Sequence, residues 1–133
     1  MGTSMTRHVL IAEREANMQA CLRFLMEREG YVTRVVKDGA EVLAAIDDAV
    51  PDLVLLSVEL DRYDGFELCR LLRIDGRCAQ LMILVVTAKA RDIEREKAMA
   101  LGADDYMTKP FANDDLMTRV RNLLAQSQTR VGG

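Results

Sequence analysis

Five times along this chain a short apolar run rich in branched residues is followed by a stretch of helical period. No other feature restricts the fold as much. His8 to Ala12 reads as a first strand, followed by Ala16 to Glu29 with Met18, Cys21, Leu22, Leu25 and Met26 on one helical stripe. Gly30 stands where a helix C-terminus is expected. Tyr31 to Val36 is a second strand, and Gly39 to Asp48 a helix with Val42, Leu43 and Ile46 inward. Leu53 to Ser57 opens with four residues apolar on both faces, the signature of a central parallel strand. A helix from Phe66 to Arg73 packs Phe66, Cys69 and Leu72. Leu81 to Thr87 is the fourth strand and Asp92 to Leu101 a charged helix. Tyr106-Met107 is a short fifth strand, and Asp114 to Ala125 a last helix carrying Leu116, Val120, Leu123 and Leu124.

Strict alternation of this kind implies an α/β fold: a doubly wound, five-stranded parallel sheet with five helices on its two faces. In such a sheet the functional crevice lies beyond the carboxyl ends of the strands. That rule selects the loops after Ala12, Ser57, Thr87 and Met107.

The 133 residues suit a single domain, expected over 7–126, with a disordered segment over 1–6 and a polar tail over 127–133. Met1-Gly2-Thr3-Ser4-Met5 reads as a cloning remnant ahead of a natural start at Met5. No secretory leader is recognisable, and the apolar runs are far too short to cross a membrane. Cys21, Cys69 and Cys78 form no Cys-x-x-Cys pair; Cys21 and Cys69 fall on apolar helix faces, so buried free thiols in a reducing cytoplasm are expected. The only histidine, His8, precedes the first strand, which argues against a histidine metal site or a catalytic triad. A net charge of -3, with arginines scattered beside acids, argues against direct nucleic-acid binding.

Four segments carry a family resemblance. Pro51-Asp52-Leu53-Val54-Leu55-Leu56-Ser57-Val58-Glu59-Leu60-Asp61-Arg62-Tyr63-Asp64-Gly65 resembles the third strand and loop of response-regulator receiver domains. Val9-Leu10-Ile11-Ala12-Glu13-Arg14-Glu15 is similar to their first strand and acidic turn. Leu84-Val85-Val86-Thr87-Ala88 resembles their fourth strand, and Leu101 through Lys109-Pro110-Phe111 their fifth-strand signature. The resemblance implies a flavodoxin-like strand order, 2-1-3-4-5, and a signalling role in a two-component phosphorelay.

In receivers of ordinary chemistry three carboxylates hold magnesium, one of them accepts a phosphoryl group, and a hydroxyl and a lysine bind its oxygens. On this chain those places fall on Glu13, Arg14, Ser57, Thr87 and Lys109. Two of the three acids are therefore missing: Arg14 stands where a metal-binding acid belongs, and Ser57 replaces the nucleophile. Glu13 and Arg14 cancel in charge, whereas magnesium wants several anionic oxygens. A fixed cation a few ångström away costs a divalent ion several kcal/mol even at an effective dielectric of about 20. No magnesium and no other cofactor is expected, no metal ligand is assigned, and no enzymatic activity is expected. A serine hydroxyl also needs a general base that this pocket supplies poorly.

The leading expectation is a pseudo-receiver acting through protein contacts, with Glu13, Arg14, Ser57, Glu59, Thr87 and Lys109 as its degenerate pocket. Lys109 is expected to pair with Glu13 or bond Ser57, and Arg14 to pair with Glu59 or Asp61 and fill the vacant metal position. The alternative is phosphorylation at an unorthodox residue, Ser57, Asp61 or Asp64, although Asp64-Gly65 reads more simply as a helix start. A cofactor binder on the same architecture is disfavoured, because Glu13-Arg14-Glu15-Ala16-Asn17 has no glycine with which to cradle a phosphate.

The resemblance further assigns Thr87 and Tyr106 as switch residues, Tyr106 being the aromatic whose inward or outward rotamer reports phosphorylation. It also implies a protein partner from a two-component pathway. The face of the fourth helix, fifth strand and fifth helix suits a two-fold homodimer, with Asp104, Asp105, Arg119 and Arg121 in inter-subunit ion pairs and Ile93 and Ala98 as an apolar patch. Ordinary solvated surface is the alternative for those charges.

Overall fold

The computed structural model describes residues 6–132, with side chains described through Ser127. Five parallel strands, β1 (His8–Ala12), β2 (Val32–Val36), β3 (Leu53–Leu56), β4 (Met82–Thr87) and β5 (Asp105–Thr108), lie in the order β2-β1-β3-β4-β5. The connecting helices are α1 (Ala16–Arg28), α2 (Gly39–Asp48), α3 (Gly65–Ile74), α4 (Asp92–Ala100) and α5 (Asn113–Gly132), with a one-turn 3-10 helix at Gly76–Cys78. The expected α/β architecture and strand order are those observed.

Two apolar layers sandwich the sheet. On one face Leu10, Val54, Leu56, Ile83 and Val85 pack against Val42, Ile46, Leu68, Cys69 and Leu72. On the other, Val9, Ile11, Leu53, Leu55 and Leu84 pack against Leu22, Leu25, Met26, Leu116, Val120 and Leu123. The alternation within each strand explains why β3 is apolar throughout: each residue meets a different helical layer. Burial pushes the Cys69 thiol up to about 12, which leaves it inert. Cys21 departs from expectation: it lies at the margin of its layer and is only half-buried.

The expected disordered segment over 1–6 falls outside the described residues, Thr6 apart. The expected tail over 127–133 is corrected, since α5 continues to Gly132. Nothing between Ala125 and Val131 breaks a helix. Ser127 is buried, and its hydroxyl donates to the Gln80 carbonyl at 3.4 Å. No helix among the described residues is long and apolar enough to cross a membrane.

Arg73 is a brace that periodicity does not reveal. From α3 its guanidinium donates to the carbonyls of Gly102 (2.8 Å), Cys78 (3.1 Å) and Leu81 (2.7 Å) and to the Asp104 carboxylate (2.5 Å). One side chain thereby fastens the end of α3 to the starts of β4 and β5.

Candidate functional site

The site forms where β1, β3, β4 and β5 end together. Backbone ladders carry their order one residue past the strands: Glu13 N donates to the Val36 carbonyl, and Ser57 N to the Ala12 carbonyl, both at 3.0 Å. Lys109 N donates to the Thr87 carbonyl at 2.8 Å, and the Lys109-Pro110 peptide is cis. Glu13, Ser57 and Thr87 are all buried.

The loop between β3 and α3 folds tightly back on this edge. Gly65 N donates to the Val58 carbonyl at 3.0 Å, and a Cβ at Gly65 would lie 2.5 Å from the Ser57 carbonyl oxygen. Only glycine allows that approach. Asp64 caps α3, its carboxylate accepting from Glu67 N at 2.9 Å, which is the helix-start role expected of it. So constrained, the loop returns the side chain of Glu59 over the strand ends.

Glu59, expected in the pocket as one of two partners for Arg14, bonds two hydroxyls instead. Its Oε1 accepts from Ser57 Oγ at 3.1 Å and its Oε2 from Thr87 Oγ1 at 2.6 Å. Burial alone would raise its pKa. The hydrogen bonds from Thr87 and Ser57, a backbone amide and the charge of Lys109 outweigh burial and hold the carboxyl below its ordinary range. A glutamate three residues beyond the end of β3 has the reach to bend back onto its own strand, which is the signal that was available.

Across the pocket, Lys109 Nζ lies 2.6 Å from Glu13 Oε1 in a largely buried ion pair, one of the two arrangements expected. Glu13 Oε2 accepts from Glu15 N at 3.0 Å. Arg14 turns outward, its Nη1 3.5 Å from Asp61 Oδ1, with 54% of its side chain exposed. The expected pairing with Asp61 is present, but Arg14 lines the rim of the remaining cavity, about 210 Å³, instead of filling its centre. The other lining residues are Glu13, Glu15, Glu59, Ala88 and Lys109.

Hydrogen bonds lead from the pocket towards β5. Thr87 Oγ1 accepts from Lys89 N at 3.2 Å, and the hydroxyl of the inward, buried Tyr106 donates to the Lys89 carbonyl at 2.6 Å. The carbonyl of Tyr106 accepts from Arg95 and Arg119 at 3.2 and 3.3 Å. Tyr106, Arg95 and Arg119 line a cleft of about 380 Å³ between α4, β5 and α5.

The expected dimer face needs correction. Ala98 is wholly buried in the core and belongs to no surface patch, because it lies on the side of α4 turned to the sheet; Ile93 is 62% exposed. Asp104 is engaged within the chain by Arg73 and also accepts from Ile83 N at 2.8 Å. Asp105 pairs with Arg119 at 2.9 Å, and Arg121 with Glu29 at 3.1 Å. All four charges thus have partners within the monomer.

A doubly wound sheet whose carboxyl edge gathers two acids, two hydroxyls and a lysine, coupled to an inward tyrosine, has the layout of a receiver-type signalling module. The response regulator receiver domain family matches residues 9–121, and the chain belongs to that family. The chain is 36% identical over 124 residues to the alkaline phosphatase synthesis transcriptional regulatory protein PhoP of Bacillus subtilis (strain 168), covering 93% of this chain and 51% of that protein. It is 34% identical to the phosphate regulon transcriptional regulatory protein PhoB of Rhizobium meliloti (strain 1021), covering 96% of this chain and 56% of that protein. The chain therefore spans about half the length of these relatives. Among solved structures, the receiver domain of Francisella response regulator 1452 superimposes with a TM-score of 0.85 at 26% identity, over 92% of this chain and 99% of that one. A CheY-like receiver domain protein from Methanospirillum hungatei JF-1 shares the fold, with a TM-score of 0.88 at 22% identity, over 95% and 99% of the two chains.

Proposed function

We propose that this receiver domain is a pseudo-receiver: a cytoplasmic, non-enzymatic interaction module of a two-component pathway that is not phosphorylated and works by binding a protein partner. The observation that carries this reading is the state of the acids at the strand ends. Glu13 is neutralised by Lys109 at 2.6 Å, Arg14 has no carboxylate to offer, position 57 is a hydroxyl, and the carboxylate of Glu59 is taken up by two hydroxyls. Such a donor set does not suit magnesium, which needs several free anionic oxygens in near-octahedral array. Asp61 and Asp64 are poor alternative acceptors: one is paired with Arg14 at the surface, the other is committed to capping α3.

The relatives' names describe transcriptional regulators. In this reading any contact with DNA belongs to another segment or another chain, while the receiver supplies a docking surface beside Tyr106. Two-fold pairing through α4, β5 and α5 would exchange the intrachain Asp105–Arg119 pair for its inter-subunit counterpart, with Ile93 as apolar contact. The deciding experiment is incubation with acetyl phosphate or beryllofluoride plus magnesium, read by intact mass and amide spectra. No adduct and unmoved amides are expected; a phosphoryl adduct on Ser57, Asp61 or Asp64 rejects the reading.

A further inference from the structure

We infer that Glu59 is a tethered substitute for the phosphoryl group, its carboxylate holding Thr87, and through Thr87 the inward Tyr106, without covalent modification. The inference rests on the reading that Ser57 carries no phosphoryl group, and it adds what occupies that group's place instead.

Three observations converge on it. First, the carboxylate is bonded to the hydroxyls of both Ser57 and Thr87, so it lies between the residue at the acceptor position and the hydroxyl that would bind a phosphoryl oxygen. Secondly, the bond to Thr87 is short, 2.6 Å, as a hydroxyl–carboxylate bond should be, and it fixes the rotamer of a wholly buried side chain. Thirdly, Thr87 Oγ1 also accepts from Lys89 N, whose own carbonyl receives the Tyr106 hydroxyl. A continuous chain of hydrogen bonds therefore runs from Ser57 through Glu59, Thr87 and Lys89 to Tyr106, where it meets the cleft lined by Arg95 and Arg119. Each link constrains the next, so a fixed anion at one end sets the side-chain arrangement at the other. Lys109 makes its ion pair with Glu13, so the direct hydrogen bonds of the Glu59 carboxylate come from the hydroxyls.

The arrangement predicts that Tyr106 follows Glu59. Incorporation of 3-fluorotyrosine labels Tyr31, Tyr63 and Tyr106, and a Tyr106→Phe variant assigns the third line in the fluorine NMR spectrum. In Glu59→Ala the Tyr106 line is expected to shift towards that of the more exposed Tyr63 and to broaden, as inward and outward rotamers exchange. Thr87→Val, nearly isosteric, cuts the same link from the other side and is expected to move the line in the same direction; it carries the test by itself if Glu59→Ala does not fold. The double variant is expected to move Tyr106 no further than the larger single change, because both substitutions remove the same Glu59–Thr87 bond. A Tyr106 line unmoved in the folded variants, or additive displacement in the double variant, overturns the inference. The two readings fail separately: a phosphoryl adduct in the intact mass of the wild type defeats the pseudo-receiver, whereas an unmoved Tyr106 with no adduct defeats only the role of Glu59.

Discussion

The two walls of the pocket have fared differently. The wall built on β4 and β5 has a buried hydroxyl at Thr87, a lysine at Lys109 whose backbone N donates to the Thr87 carbonyl, and an aromatic at Tyr106 that reaches Thr87 by way of Lys89. The wall built on β1 and β3 is different in charge: Arg14 faces the rim and Ser57, directly after β3, offers a neutral group. Binding an anion and holding a cation are thus separable properties of one site. In the proposed reading Glu59 supplies an internal anion for the β4 and β5 wall, and the acids described at the other wall do not make up a set of cation ligands.

The strongest test of that contrast rebuilds the altered wall. Replacing Arg14 and Ser57 together by aspartate, with Glu59→Ala to clear the space before Thr87, adds acids where only Glu13 remains. Reversing the charge at position 14 alone is worth on the order of a hundredfold in magnesium affinity after allowance for its exposure. We expect the triple variant to bind magnesium in a calorimetric titration and to gain a phosphoryl adduct from acetyl phosphate. Failure despite a folded variant would mean that the β4 and β5 wall has lost its capacity as well.

Next in size is removal of the link between the walls. Lys109→Met leaves Glu13 buried with an uncompensated charge, for which a loss of about 3 kcal/mol is expected. The midpoint of urea denaturation measures it. A loss below about 1 kcal/mol, the range of exposed pairs, would show that Glu13 relaxes into water and that the walls are independent.

The sequence carried the architecture clearly, because strands buried between two helical layers must be apolar on both sides, and the helices between them show a period of their own. It also carried the composition of the pocket, since strand ends in a parallel sheet converge by necessity. The course of each polar side chain was less legible. Whether Glu59 turns to its own strand or to Arg14 depends on a loop closed by Gly65, and whether Ala98 faces solvent depends on where α4 settles against the core. The pairing of Asp104 with Arg73 spans 31 residues and leaves no local periodicity. For α5 the missing stop signal after Ala125 was the better guide, and the polar composition of 126–130 misled.

Acid should act on the two walls unequally. Glu59 has its folded-state pKa below the ordinary value, so its ionised form stabilises the fold above the unfolded-state pKa, and that contribution disappears as pH falls through the folded value. Between neutral pH and a pH below the carboxylate range, the wild type is expected to lose more thermal stability than Glu59→Gln, which has no proton to take up. Scanning calorimetry on the two proteins gives the difference, and equal losses would place the acid sensitivity elsewhere.

The smallest effect concerns Arg14. Its pair with Asp61 is 3.5 Å long, with side chains 54% and 71% exposed, so solvent screens most of the attraction. Asp61→Ala is therefore expected to change stability by less than about 0.5 kcal/mol, as is usual for exposed pairs. The same substitution frees Arg14 to turn inward, where the carboxylate of Glu59 is the acid that lines both of these cavities bordered by Arg14. If it does so, Glu59 must divide its charge between a guanidinium and Thr87, and the fluorine line of Tyr106 should shift slightly in Asp61→Ala. A stability loss well above 0.5 kcal/mol with Tyr106 unmoved would instead mean that the Arg14–Asp61 pair braces the loop itself, and that the β1 and β3 wall has a structural use for the charge of Arg14.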